Sequence, residues 1–224
     1  MVNVSLAWPE GNPDEQLFAL GLGKEDLLKA ISAGEDARAR ATPNHPITTA
    51  GQLDYQERVF TLREVLFKRG WKRLDHRGSP LVVNPDRTIA IGVLLGDHRT
   101  GLPGRPDPRP VRPQGAAKAE LIDRNNMSPL FPLSVVMPDS DQAHLEDDEL
   151  AGLQTWYLLT HRYTGKKNGV IGVRSELSLP VNIGPQEKID TWLRRILLPT
   201  MEWEIVVDYP GEQPPGYDVR LEER

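Results

Sequence analysis

The sequence predicts an α+β protein in which helices pack on a mainly antiparallel sheet of five or six strands. Three observations lead to this fold class: helical apolar patterns in the first 70 residues, short strand-like apolar runs after them, and turn signals between those runs. Tight turns join neighbouring strands as antiparallel hairpins, and no regular strand–helix alternation indicates a doubly wound parallel sheet. A chain of 224 residues suits one such domain, which we place at residues 1–209.

Three helices are expected before the sheet begins. Residues 13–20, 24–40 and 52–69 carry apolar side chains at helical spacing, and Gly70 is a natural stop for the third helix. The stripe of the third helix consists of Val59, Leu62, Val65 and Leu66.

The strand region begins at Trp71. Residues 71–75, 81–83 and 88–95 are predicted strands, separated by a turn at residues 76–78 and a turn tetrad at residues 84–87. The third of these strands is apolar on both faces, which is typical of a central strand. Its small residues Ala90 and Gly92 favour close approach of a helix, and we expect the one that ends at Gly70 to lie there.

The second half of the chain predicts a helix at 116–125, a hairpin of strands 155–163 and 170–179, a helix at 185–198 and a last strand at 203–209. If Tyr163 pairs near Val170, one hairpin face carries Tyr157, Leu159, His161, Gly172, Arg174 and Glu176. Such a set could position an anion or transfer a proton. The favoured interpretation is a polar face exposed to solvent.

A proline-rich basic segment, residues 98–118, follows the central strand. Four arginines and one lysine against one aspartate give it a formal charge of +4, in a chain of net charge −5. Five prolines between positions 103 and 113 exclude a helix and remove the N–H donors that a strand needs. We therefore expect an exposed, stiff arm that binds an anion. The candidate binding residues are Arg99, Arg105, Arg109, Arg112 and Lys118, supported by Lys166 and Lys167 if the hairpin tip lies nearby.

The same segment has a second interpretation, as a solvated loop or one docked against the chain's own acidic run. That run, residues 139–149, holds six carboxylates and no basic residue, and we interpret it as a solvated linker. Residues 210–224 are expected to form a disordered tail.

Composition excludes several function classes. The chain has no cysteine, which excludes disulfides, thiolate nucleophiles and iron–sulfur ligation. Its negative net charge argues against nucleic-acid binding over the whole surface, although one basic patch can still bind locally. No secretory signal or membrane-length apolar run is present, so we expect a cytoplasmic protein without membrane contact.

Several short motifs carry a family resemblance. They are T-P-N-H-P at 42–46, R-G-W at 69–71, V-V-N-P-D-R-T-I-A-I at 82–91, G-D at 96–97 with T-G at 100–101, and S-E-L-S-L-P at 175–180. Across residues 20–200 the chain resembles a family of uncharacterised bacterial proteins that often accompany plasmids and genomic islands. The resemblance implies no catalytic residue, and it favours a role in DNA maintenance or in conflict between mobile elements.

The sequence therefore favours a non-enzymatic binding or adaptor protein whose segment 98–118 contacts nucleic acid or an acidic protein. We expect no cofactor and no metal. A first alternative is a metal-dependent nuclease or phosphodiesterase that uses Asp97 and Glu176, with His161 in support. The lysine that often follows such a strand carboxylate by two residues is replaced here by Ser178. A second alternative is a structural subunit of a larger assembly.

Overall fold

The computed structural model describes residues 11–127, 150, 152–164 and 170–204, which form four helices and seven strands in an α+β arrangement. The helices are α1 (Pro13–Ala19), α2 (Lys24–Ala39), α3 (Thr49–Phe67) and α4 (Ala116–Met127). The strands are β1 (Lys72–His76), β2 (Ser79–Val83), β3 (Ile89–Leu95), β4 (Gln154–Thr164), β5 (Val170–Ile183), β6 (Ile189–Leu197) and β7 (Met201–Glu204). Within these ranges no helix has the length and apolar character needed to cross a membrane.

The strands form one mostly antiparallel sheet in the order β1-β2-β3-β4-β5-β6, which confirms the predicted fold class. Both β6 and β7 pair with β5. Strand β6 pairs along Glu176–Ile183 of β5, and β7 pairs along Val170–Val173. Together, β6 and β7 therefore form one edge of the sheet. The sheet has seven strands, and the one beyond the six strand segments read from the sequence is β6.

One pair of neighbours, β3 and β4, is parallel. A parallel pair needs a long crossover, and here the crossover contains the basic segment and α4. The side chain of Asn125 fixes α4 to the sheet: its amide nitrogen donates to Thr155 O (3.0 Å) and Pro180 O (2.8 Å), and its oxygen accepts from Thr155 N–H (2.8 Å). This one parallel pair within the mainly antiparallel sheet was not foreseen from the sequence.

Helices cover both faces of the sheet. The face covered by α1, α2 and α3 has a core that includes Leu27, Ile31, Leu62, Leu66, Ile91, Trp156 and Leu177. On the opposite face, Ala90 packs with Leu121 of α4, and a Cβ at Gly92 would lie only 2.9 Å from the ring of Tyr157. The small residues of β3 therefore admit α4 and a tyrosine ring, and placing the helix that ends at Gly70 there was wrong.

Residues 185–198 form a turn and strand β6, so the helix predicted for them is wrong. Pro185 lies in a tight turn that closes through Glu187 N–H to Gly184 O (3.0 Å). Irregular pairing with β5 leaves Leu193 without a register partner, as in a β-bulge. The bulge separates the buried residues of β6 by three and four positions, a spacing that imitates a helix. These residues are Ile189, Trp192 and Ile196.

A buried charge cluster joins the helical layer to the sheet. Arg58 of α3 is only 2% exposed and donates to Asp54 and to Thr160 of β4. Its Nη2 lies 3.5 Å from Glu35 of α2, which also accepts from Arg162 Nε at 3.0 Å. Burial lowers the pKa of Arg58, although the neighbouring Asp54 and Glu35 act against that shift. The cluster therefore ties α2, α3 and β4 together through one cation.

Four expectations concern residues that the structure does not describe. They are the acidic run 139–149, the tail 210–224, the lysines Lys166 and Lys167 between β4 and β5 in the sequence, and the part of the predicted last strand beyond residue 204.

The Arg58→Ala variant is expected to lower the free energy of unfolding by about 3–5 kcal/mol, because it removes the nearest cation from the buried Asp54 and one of the two cations beside the buried Glu35. Urea denaturation measures the change. The matched control is Arg40→Ala, which removes a largely exposed arginine 3.7 Å from Glu57 and should cost no more than about 1 kcal/mol. Equal losses in the two variants would contradict the structural role given to Arg58.

Candidate functional site: the docked basic loop

The basic segment does not project from the sheet. Its residues 109–111 run antiparallel to residues 95–97, with Asp97 N–H donating to Arg109 O and Val111 N–H to Leu95 O, both at 2.9 Å. The indole N–H of Trp192 on β6 donates to Pro108 O at 2.8 Å. The segment is therefore a loop docked across the sheet, and the expectation of a projecting arm is corrected.

A buried ion pair lies beneath this loop. Glu176 of β5 is fully buried, and both of its oxygens face Arg195 of β6, with Nε–Oε1 at 3.0 Å and Nη2–Oε2 at 2.6 Å. The hydroxyl of Ser178 and the backbone N–H of Gly101 each donate to the same carboxylate at 2.8 Å. Glu176 thus holds the loop backbone directly as well as through Arg195.

Arg195 also donates to the loop. Its Nη2 donates to Leu102 O at 2.9 Å, its Nη1 donates to Gly104 O at 3.3 Å, and Nη1 lies 3.4 Å from Asp107. Burial alone would lower the pKa of Arg195, but the hydrogen bond and charge of Glu176, with those of Asp107, outweigh burial and raise it. The guanidinium therefore stays charged and connects β5, β6 and three positions of the loop.

This geometry bears directly on the metal alternative. Both oxygens of Glu176 are engaged by donors from Arg195, Ser178 and Gly101. Asp97 accepts from the backbone N–H of Arg99 at 3.0 Å, which is a local turn contact. In the described part of the chain, no three His, Asp or Glu residues are grouped as metal ligands. The arrangement assigns Glu176 a loop-anchoring role.

The β4–β5 hairpin pairs His161 with Arg174 and Tyr163 with Gly172, two positions from the assumed register. A shift of two residues leaves every side chain on the same face of the sheet. The six residues predicted to share one face of the hairpin therefore do share it. The face is not open to solvent throughout, however, because the loop and α4 cover Tyr157 and Glu176. Burial raises the pKa of Tyr157.

The less buried end of that face holds His161 and Arg174, both of them partly exposed. The guanidinium of Arg174 donates to His98 O at 2.8 Å and lies 5.1 Å from the centre of the Tyr163 ring. His161 Nδ1 lies 3.3 Å from Gly96 O. Burial lowers the pKa of His161 more than this carbonyl and Asp97 raise it. These side chains support the start of the loop.

The loop presents three of its arginines to solvent. Arg105 is 89% exposed and only approaches Asp107, at 4.0 Å. Arg109 and Arg112 are exposed, and neither forms an ion pair with any residue in the described ranges. Arg99 differs, because its Nε donates to Pro106 O at 3.1 Å. We call Arg105, Arg109 and Arg112 the cationic surface.

Two of the predicted binding positions lie elsewhere. Lys118 is half-buried in the first turn of α4, where burial lowers its pKa. Lys166 and Lys167 lie outside the described residues, so their position relative to the loop stays a prediction.

Sequence reasoning missed Arg195, Trp192 and Lys188, because all three fell inside the wrongly predicted helix at 185–198. Once β6 is recognised as a strand beside β5, an arginine diagonal to a buried glutamate is the signal for a cross-strand ion pair.

Comparisons with protein-family models, curated proteins and solved structures gave no match for this chain. The resemblance to plasmid-associated bacterial proteins therefore stays a prediction, and the loop geometry carries the functional argument.

The Glu176→Gln variant is expected to lose about 3 kcal/mol or more of unfolding free energy, because it keeps the shape of the side chain but leaves Arg195 without its buried counter-charge. Hydrogen exchange should become faster at the Gly101 amide. The control Asp97→Asn retains an oxygen acceptor for Arg99 N–H and should change stability by less than about 1 kcal/mol. Comparable losses would contradict an anchoring role specific to Glu176.

The pH dependence of stability reports on His161. Its pKa in the folded protein is lowered from the ordinary value of 6.5. As the pH falls below 6.5, His161 therefore binds a proton more readily in the unfolded chain than in the folded protein. Stability is therefore lost on acidification. Between pH 7 and pH 5, His161→Gln should lose less unfolding free energy than the parent protein in urea titrations. A larger loss in the variant would show that His161 gains a proton on folding.

Proposed function

We propose that this chain is a non-enzymatic, cytoplasmic binding protein that holds nucleic acid against the cationic surface. The observation that carries the proposal is the exposure of Arg105, Arg109 and Arg112 on a loop fixed to the sheet, with no carboxylate of the described residues closer than 4.0 Å to any of them. Arginine suits this ligand because its planar guanidinium forms paired hydrogen bonds with phosphate oxygens.

Docking of the loop supports binding in a second way. An arm that moved freely would lose conformational entropy when it bound, and that loss would weaken the complex. Here Arg195, Trp192 and the backbone bonds to residues 95–97 already hold the loop in place. The ligand therefore meets arginines whose backbone positions are set before binding.

The acidic remainder of the molecule restricts the contact to this surface. Outside residues 98–118 the chain carries a formal charge of −9, which repels a polyanion that extends beyond the loop. Screening limits this repulsion to about 8 Å at physiological ionic strength. We expect few phosphate contacts and therefore weak, strongly salt-dependent binding. The same chemistry would accept an acidic protein surface, and a role in DNA maintenance or mobile-element conflict agrees with nucleic acid as the ligand.

The triple variant Arg105→Ala, Arg109→Ala, Arg112→Ala should abolish the salt-dependent binding of internally labelled DNA and RNA in fluorescence anisotropy. Three phosphate contacts imply that affinity falls about 20-fold for a single strand and about 40-fold for a duplex between 50 and 200 mM salt. The matched control, Lys68→Ala, Lys72→Ala, Arg73→Ala, removes three exposed positive charges from another part of the molecule.

The proposal would be overturned if the triple loop variant still bound nucleic acid and the triple control variant did not. The absence of binding by duplex DNA, single-stranded DNA and RNA at 50 mM salt would overturn it as well. If an acidic polypeptide binds and nucleic acids do not, the ligand would be an acidic protein, and the cationic surface would remain the proposed binding site.

A further inference from the structure

A shallow pocket of ≈ 250 Å³ lies where the docked loop meets the β5–β6 turn. One side of it is formed by Arg109, and the other by residues of the turn. The lining residues are Arg109, Gly184, Pro185, Gln186, Lys188 and Asp190.

Hydrogen bonds fix the backbone on both sides of the pocket. On the loop side, Pro108 O accepts from the Trp192 indole, immediately before Arg109. On the turn side, Gly184 N–H donates to Lys188 O at 2.9 Å. The two sides are joined by Gln114 N–H, which donates to Glu187 O at 2.6 Å. The two cations of the pocket therefore belong to one connected unit.

The charges of the pocket are arranged for an anion. Arg109 and the half-buried Lys188 form no ion pair with any carboxylate in the described ranges. The one acid of the lining, Asp190, directs its Oδ1 to donors on Asn182 (2.8 Å) and Thr191 (3.0 Å). Two cations without an ion pair and the Gln186 side chain thus line a concave space that also has one carboxylate, Asp190, in its lining.

We propose that this pocket binds the terminal phosphate of a nucleic-acid strand. The inference rests on the proposed function and names the part of the ligand that the site selects. An internal phosphodiester carries one negative charge and has a sugar on each side, so it suits an open row of arginines. A terminal phosphomonoester carries between about 1.5 and 2 negative charges at pH 7 and has a sugar on one side only. It can therefore enter the shallow pocket end-on and meet both cations.

A substitution at Asp190 tests the same proposal in a second way, because its expected effect is opposite to that of losing Lys188. Its carboxylate repels a phosphomonoester more strongly than a neutral hydroxyl end. The Asp190→Asn change removes this charge and keeps an oxygen that can accept from Asn182 and Thr191. Loss of Lys188 and loss of the Asp190 charge should therefore change the preference for a terminal phosphate in opposite directions.

The experiment compares single strands of one sequence with a 5′-phosphate, a 3′-phosphate or hydroxyls at both ends, with an internal fluorophore and 50 mM salt. We expect one phosphorylated strand to bind about tenfold more tightly than the hydroxyl-ended strand, the effect of one charge-assisted contact. Lys188→Ala should abolish this preference and leave the affinity for the hydroxyl-ended strand within about twofold. Asp190→Asn should increase the preference, and the distant control Lys72→Ala should retain it.

The outcomes separate the two proposals. Equal binding of all three strands, or a preference that survives Lys188→Ala, overturns the terminal-phosphate inference and leaves the cationic surface intact. Failure of every strand to bind the unmodified protein overturns both. A phosphate preference that Lys188→Ala removes supports the pocket.

Discussion

The contact between Arg195 and Glu176 determines what the basic segment can do. Proline has no N–H, so a loop with five prolines presents carbonyl oxygens that its own backbone cannot satisfy. Side chains supply the missing donors: Arg195 donates to Leu102 O and Gly104 O, and Trp192 donates to Pro108 O. Glu176 balances the charge of the arginine that makes this possible. Arg195 and Trp192 therefore hold the loop on the sheet together, while Arg105, Arg109 and Arg112 of the loop are exposed.

Much of the fold could be predicted from the sequence because local signals agreed with the tertiary structure. The helical stripe that includes Leu62 and Leu66 and the apolar pattern of β3 both appear where they were expected. The prediction of a helix at residues 185–198 was wrong for a physical reason. Proline favours both the first turn of a helix and the second position of a β-turn, since each requires the same φ. The bulge at Leu193 then gave a strand the apolar spacing of a helix.

The candidate site was predictable in its composition but not in its placement. The positive charge of residues 98–118 and the shared face of His161 and Arg174 follow from the sequence, since charge is local and side-chain alternation survives a two-residue shift. The docking of the loop does not, because it depends on Arg195, more than 90 residues further along the chain, reaching Leu102 and Gly104. The parallel pairing of β3 and β4 was missed for the same reason, as strand order is a long-range property.

In the proposed function, a loop fixed by Arg195 presents its outer arginines to a polyanion. The most direct measurement is a titration of the ¹⁵N-labelled protein with a single-stranded oligonucleotide, followed through the backbone amide signals. We expect chemical-shift changes to concentrate at residues 104–115 and 184–190, with the amide signals of α2 and α3 unchanged. Changes that concentrate on the helical layer, or no changes at low salt, would show that the loop is not the binding surface.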